Sequence, residues 1–221
     1  MFTKWRFDRR LNSLAASGHE VLTDYAGSDW PDRNSAASGA AYLALDFELD
    51  GLRRDADLLQ AGWVPFAGDC IAMASARSVD IRSDASLDPA AVTIHGIGEQ
   101  RAARGQKLAE VAGSLIAALS GCIIVAHAAE IEVSALQRVG KAIWGIKLPV
   151  RSICTLALER KLHPHLVGAE AYRLGPCRAR YGLPDYEVHD ALTDAIAAAE
   201  LFQAQLSRLP EDVILGDLEQ R

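Results

Sequence analysis

Apolar residues fall into short unbroken blocks in the first half of this chain and into helically spaced patterns in the second. Three runs, YLALDF at 42–47, LLQAGWVPF at 58–66 and CIAMASARSV at 70–79, are separated by polar, glycine-containing turns and predict an antiparallel meander. Residues 99–121, EQRAARGQKLAEVAGSLIAALSG, carry apolar positions at helical spacing and end at Gly121, a natural C-cap, which predicts a helix of three or four turns. An apolar strand, CIIVAH at 122–127, a helix, EIEVSALQRVGKAI at 130–143, and a strand, VRSICTL at 150–156, follow in order. That β–α–β alternation predicts an α/β protein with a partly parallel sheet. From Thr155 the chain reads as helix over 156–162, 171–181 and 190–206, interrupted by Pro164, Gly168 and GLPDYE at 182–187. The first 40 residues read as a basic amphipathic helix, Trp5 to Leu14, and a linker, GSDWPDRNSAASGA. No internal repeat is present.

Composition narrows the class. Half of the 221 residues are hydrophobic, enough for one generous domain core. A net charge of −6 argues against a protein that coats nucleic acid or membrane by bulk electrostatics, while leaving room for local basic patches. No run of about 18 uncharged apolar residues exists, and the charged N-terminus has no apolar segment behind it. Neither a membrane span nor a secretion signal is expected, and the expected location is cytoplasmic. Cys70, Cys122, Cys154 and Cys177 are isolated, with no C-x-x-C pair, and read as reduced core residues.

Candidate chemistry begins where the apolar pattern breaks. Asp46 and Glu48 stand where the first strand should still bury side chains, and being two apart they project from the same face. Adjacent carboxylates repel unless a cation lies between them. More acids recur at element ends: Glu130 and Glu132 open the helix after His127, and His189 and Asp194 lead into the last long helix. Four acids and a histidine that converge suit two divalent cations about 3.5–4 Å apart, Mg²⁺ or Mn²⁺, with space for a phosphate oxygen and a water. His189 and Asp194 are five residues apart, about 140° round a helix, so His189 belongs in the preceding loop. From there an imidazole can act as general base toward the attacking water.

The set ALDFELDGL, HGI at 95–97, VAHAAEIEVSAL, CTLALERKLHP, ARYGLP and HDALTDAIAAAEL resembles the DnaQ-like DEDDh 3′→5′ exonucleases, the family of the epsilon proofreading subunit of bacterial DNA polymerase III and of ribonuclease T. The resemblance spans residues 42–207 and rests on six pieces in family order. It implies a ribonuclease H-like mixed sheet flanked by helices, and two-metal hydrolysis that releases nucleoside 5′-monophosphates from DNA or RNA ends. By resemblance, Asp46 and Glu48 match the first acidic motif, Glu132 the second, and His189 and Asp194 the third. Leu49, Asp50, Gly51, His95, Gly96, Ile97 and His127 match segments beside the substrate. Implied partners are a single-stranded or frayed 3′ end and a polymerase or repair complex; the oligomeric state is left open. Domain bounds follow: a helix and linker extension at 1–40, the exonuclease domain at 41–209, and a C-terminal tail at 210–221.

The chain also departs from the family. Glu132 replaces an aspartate, and its extra methylene shifts the carboxylate by about 1.3–1.5 Å, one C–C bond. Asp50 stands where Thr or Ser is usual, and Ala128 follows His127 in place of Asn. The alternative function is therefore a weakened or inactive nuclease-fold module that binds nucleic acid or a polymerase or repair partner. Bland readings remain for single residues. Asp190 reads as a helix N-cap and HPH at 163–165 as a loop, while His127 serves either as a core histidine or as a substrate contact. A His189–Asp190 phosphohydrolase leaves Asp46 and Glu48 without a role.

Overall fold

The run at 42–47 forms the middle of β1 (Ala41–Leu49), the strand on which the fold is built. A computed structural model describes residues 2–51, 53 and 55–220, with side chains from Phe7 onward. Met1 and Arg221, the outer ends of the two terminal segments, and the side chain of Trp5 lie outside the described residues. Leu43, Leu45 and Phe47 face one core, while Tyr42 and Ala44 face a second. Burial on both faces explains why the run is unbroken rather than alternating. It also places Asp46 and Glu48 on the Tyr42 face.

β1 pairs antiparallel with β2 (Leu58–Ala67) and parallel with β5 (Ile123–Ala126), which pairs parallel with β6 (Ser152–Cys154). The third apolar run is not one strand. It divides into β3 (Cys70–Ile71) and β4 (Arg77–Asp80), both antiparallel to β2, around a 3-10 turn at Met73–Ser75. The mixed sheet thus has six strands in the order β3-β2-β1-β5-β6, with β4 on the other part of β2.

On the Leu43 face lie α1 (Phe2–Ala15), α2 (Glu20–Gly27), α5 (Leu108–Leu119) and α6 (Glu130–Trp144). α2 is a helix that the sequence pattern did not predict. Leu14, Leu22 and Tyr25 join this core, and the Tyr25 hydroxyl donates to the Pro149 carbonyl at 2.6 Å. The predicted 99–121 helix is broken. α3 (Pro89–His95) and α4 (Glu99–Ala102) precede it around a small core of Leu59, Leu87, Ile97 and Ala102. Between α4 and α5 the chain is drawn into the sheet margin: Gln106 N–H donates to the Asp80 carbonyl, and Arg82 N–H to the Gln106 carbonyl, both at 2.8 Å. Gly105 permits this approach, because a Cβ there would lie 2.5 Å from the Ile81 carbonyl carbon.

The Tyr42 face is covered by α7 (Thr155–Leu162), α9 (Ala191–Leu206) and α10 (Leu215–Leu218). The predicted 171–181 helix starts as a 3-10 turn at Glu170–Tyr172 and continues as α8 (Leu174–Arg180). Arg178 of α8 donates to the Ala197 carbonyl at 2.9 Å and pairs with Glu200 of α9 at 2.6 Å. Residues 210–220 hold α10, and the Gln220 N–H donates to the Ser152 carbonyl at 2.9 Å, along the outer side of β6. Glu219, 6% exposed, is ion-paired with Arg33 and Arg151. Of the cysteines, Cys154 and Cys177 are buried and Cys122 partly so, but Cys70 is exposed, because β3 lies at the sheet edge.

Candidate active site

Asp46 and Glu48 sit opposite Gly62 and Gln60 of β2, and those two partners bring the last long helix to them. A Cβ on Gly62 would lie 2.1 Å from the Ala191 carbonyl carbon, so only glycine lets the start of α9 rest against the strand. Gln60, 2% exposed, accepts the Ala191 N–H at 3.0 Å and donates to Asp80 at 3.1 Å; Arg101 grips Asp80 with two bonds of 2.7 Å. Asp190 is the N-cap of α9, accepting from Leu192 and Thr193 N–H, both at 3.1 Å. The donors of Ala191, Leu192 and Thr193 are thereby used, and Asp194 is delivered to the strand. Carboxylate oxygens of Asp46, Glu48 and Asp194 lie within 4.8 Å of one another.

Glu132, in the first turn of α6, is 3% exposed and lines the same cleft. It lies outside the 4.8 Å group, and its Oε2 is buried without a hydrogen-bond partner. His189 is exposed in the loop before α9, where its spacing from Asp194 predicts it. Its φ of +67° is a left-handed conformation, uncommon for a residue other than glycine, and its N–H donates to Asp194 Oδ2 at 2.8 Å. The Tyr186 hydroxyl donates to Asp194 Oδ1 at 2.9 Å, so both oxygens of that carboxylate are oriented.

The electrostatics are one-sided. Burial, then the charges of Glu132, Asp194, Glu48 and Asp190, raise Asp46 well above the ordinary carboxylate range. Glu48 is pushed up to about 7 by burial and by Asp194 and Asp190, and Glu132 to about 8 by burial. Asp194 is also raised by burial, against the bonds from Tyr186 and His189. Like charges that the fold forces together, with an orphaned oxygen beside them, form an all-oxygen donor set fitted to a hard divalent cation.

Around the acids the cleft has a volume of about 420 Å³ and is also lined by Leu49, Gly51, His95, His127 and His189. Asp50, 4% exposed, accepts the Asp88 N–H at 2.6 Å and so ties the end of β1 to the start of α3. His95, 8% exposed, accepts the Ile97 N–H on Nδ1 at 3.0 Å; its Nε2 has no partner. Gly96 terminates α3 with φ +68°, and Ile97, 1% exposed, packs in the small core; neither lines the cleft. His127 has both ring nitrogens engaged, Nε2 with the Tyr172 carbonyl at 2.8 Å and Nδ1 with the Thr155 hydroxyl at 2.9 Å. Burial lowers its pKa, so it is a neutral imidazole fixed at the cleft wall. Sequence reasoning did not find Gln60, Tyr186, Asp88 or Leu174. Gln60 alone left a signal, a polar residue inside an apolar run.

This fold and cleft have relatives. The RNase T family model, described as an exonuclease, matches residues 43–202. The chain is similar to DNA polymerase III subunit epsilon of Treponema pallidum, 26% identical over 168 residues that cover 76% of this chain and 77% of that one. It is also similar to the same subunit of Aquifex aeolicus, 34% identical over 95 residues that cover 43% of this chain and 46% of that one. Among solved structures, E. coli exonuclease I in complex with an oligonucleotide shares the fold at a TM-score of 0.67 and 16% identity, covering 81% of this chain but 42% of exonuclease I. The nuclease domain of 3′hExo, a DEDDh family member bound to rAMP, does so at 0.66 and 14%, covering 81% of this chain and 98% of that domain. With most of its length matched by the family model, the chain belongs to the RNase T exonuclease family.

Proposed function

We propose that this protein removes nucleotides from the 3′ end of a single-stranded or frayed nucleic acid in a divalent-metal-dependent hydrolysis. The observation that carries this reading is the group of Asp46, Glu48 and Asp194 oxygens within 4.8 Å, with the unpartnered Glu132 oxygen on the same cleft. These four carboxylates would hold two cations, Mg²⁺ or Mn²⁺. Bound there, the cations supply charge neutralisation at the phosphoryl oxygens and acidify the attacking water. His189 takes the proton of that water as its oxygen bonds to phosphorus. The bond from phosphorus to the 3′ oxygen of the preceding nucleotide breaks and that oxygen takes a proton from solvent, releasing a nucleoside 5′-monophosphate and a 3′ hydroxyl on the shortened strand, while His189 returns its proton to solvent. The unpartnered His95 Nε2, protonated because Nδ1 accepts, donates to the terminal nucleotide. Tyr186 and the His189 N–H keep Asp194 aimed at the site.

The test is a 5′-labelled oligonucleotide with Mg²⁺ or Mn²⁺. Stepwise shortening from the 3′ end that excess EDTA stops is expected; cleavage from the 5′ end, or turnover undiminished by EDTA, overturns the proposal. Asp46→Ala should abolish turnover while the melting temperature in metal-free buffer holds or rises, because a buried carboxyl group crowded by other acids is gone. A second reading is favoured by Glu132 lying outside the 4.8 Å group: a nuclease-fold module that binds nucleic acid or a polymerase or repair partner with weakened chemistry. Oligonucleotide binding without shortening in either metal selects it.

A further inference from the structure

The cleft does not end at its acids. Leu49 and Ile131 form a saddle, Ile131 being 39% exposed, beyond which lies a second hollow of about 550 Å³ lined by both. Its charge is of the opposite kind. Arg53 from the loop after β1, Arg138 from α6 and Arg160 from α7 converge on it. The Arg53 side chain is 71% exposed and 4.0 Å from Asp50, and the Arg160 guanidinium lies over the Tyr172 ring at 5.4 Å from its centroid. Arg138 donates to the Ala56 carbonyl at 2.9 Å. On a chain with a net charge of −6, three arginines from three elements around one hollow are a local reversal of sign.

We infer that this hollow holds the sugar-phosphate backbone of the nucleotides on the 5′ side of the terminal one, so that the protein grips a single-stranded polyanion over several nucleotides. The inference rests on the exonuclease reading of the adjoining cleft. A ligand that crosses the saddle must present the reacting phosphate to the acidic side and further anionic groups to the arginines. A single strand does this. Guanidinium forks match phosphate oxygens, and an aliphatic saddle offers a surface to a base or sugar face without selecting among bases. Glu130 lines the same hollow and opposes the anion, which gives a control of opposite sign.

Equilibrium binding in Ca²⁺ with two fluorescent probes, an oligothymidylate of roughly ten nucleotides and thymidine 5′-monophosphate, separates the hollow from the terminal site. Arg53→Glu and Arg160→Glu should each weaken the longer probe by about tenfold and the mononucleotide by much less. Each should also flatten the slope of log affinity against log salt by about 0.7, the share of one phosphate on a single strand. Glu130→Gln should tighten the longer probe. Should Arg160→Glu melt early through poorer packing on Tyr172, the exposed Arg53→Glu decides. Equal losses for the two probes, or a longer probe bound as tightly by Arg53→Glu as by the wild type, overturn the inference. The exonuclease reading fails separately, by absence of shortening in Mg²⁺ and Mn²⁺ whatever the variants do to binding.

Discussion

Glu132 reaches one methylene further than an aspartate would and buries a carboxylate with one oxygen unsatisfied. If it holds metal in the proposed reaction, Glu132→Asp should leave turnover unchanged or raise it, whereas Glu132→Ala should lower it by about a hundredfold or more. Manganese should support the wild type better than magnesium, which demands near-ideal octahedral geometry. Activity of the alanine variant equal to wild type would mean that the reaction does not use Glu132, since Glu130 lines the other hollow and not the acidic cleft. The same carboxylates make metal-free stability depend on pH. Burial in the fold pushes Glu48 from 4.5 up to about 7 and Glu132 from 4.5 up to about 8, so between these values the folded state keeps protons that the unfolded state has lost. The stabilisation from the raised values is fully present below 4.5 and is lost as pH rises through about 7 and then about 8. Melting in EDTA should therefore fall across this window, and a divalent cation should restore more at its upper end.

At the scale of elements, the site depends on the contact between β2 and the start of α9. Gly62→Ala would place a methyl 2.1 Å from the Ala191 carbonyl carbon and push α9, with Asp194, away from β1. Backbone stands in the way, so relief is costly: about 3 kcal/mol or more, a melting temperature roughly 6–12 °C lower, and loss of turnover. A thermal scan and the oligonucleotide assay check both. Such pairings mark what sequence can reveal. β1 was legible because two-sided burial leaves an unbroken apolar run, and Asp46 and Glu48 stood out because nothing in such a run calls for charge. His189 was legible because the helical period forbids it from sharing a face with Asp194. The break at Gly105 was not, because its cause is the backbone of Ile81, remote in the chain. Tyr186 looked like any loop aromatic, since its reach to Asp194 depends on the path of residues 186–194. Gln60 bore the same mark as Asp46, yet its partner, the Ala191 N–H, is 131 residues away. α2 escaped notice because its amphipathic face is short, and Tyr25 completes it only by meeting Pro149.

Across the whole molecule, segments from both ends of the described chain close one side of the sheet. Arg33 and Arg151 meet Glu219, and Gln220 continues the hydrogen bonding beyond β6, so that strand does not present a bare edge. No helix among the described residues is long and apolar enough to cross a membrane. Asp46, Glu132 and Asp194 come from elements far apart in the chain, and that separation has a kinetic consequence. Contacts of high sequence separation form only after the loops between them close, so a transition state built on the β1–β2 hairpin has yet to gather the acids. Their repulsion is then felt after the barrier, by the native state alone. A divalent cation that binds only the assembled site should leave the refolding limb of the chevron where it is and slow the unfolding limb. At about a hundred times its dissociation constant, unfolding should slow by about a hundredfold. Stopped-flow traces with and without Mn²⁺ decide it: acceleration of refolding instead would mean that the carboxylates are already together when the chain commits to fold.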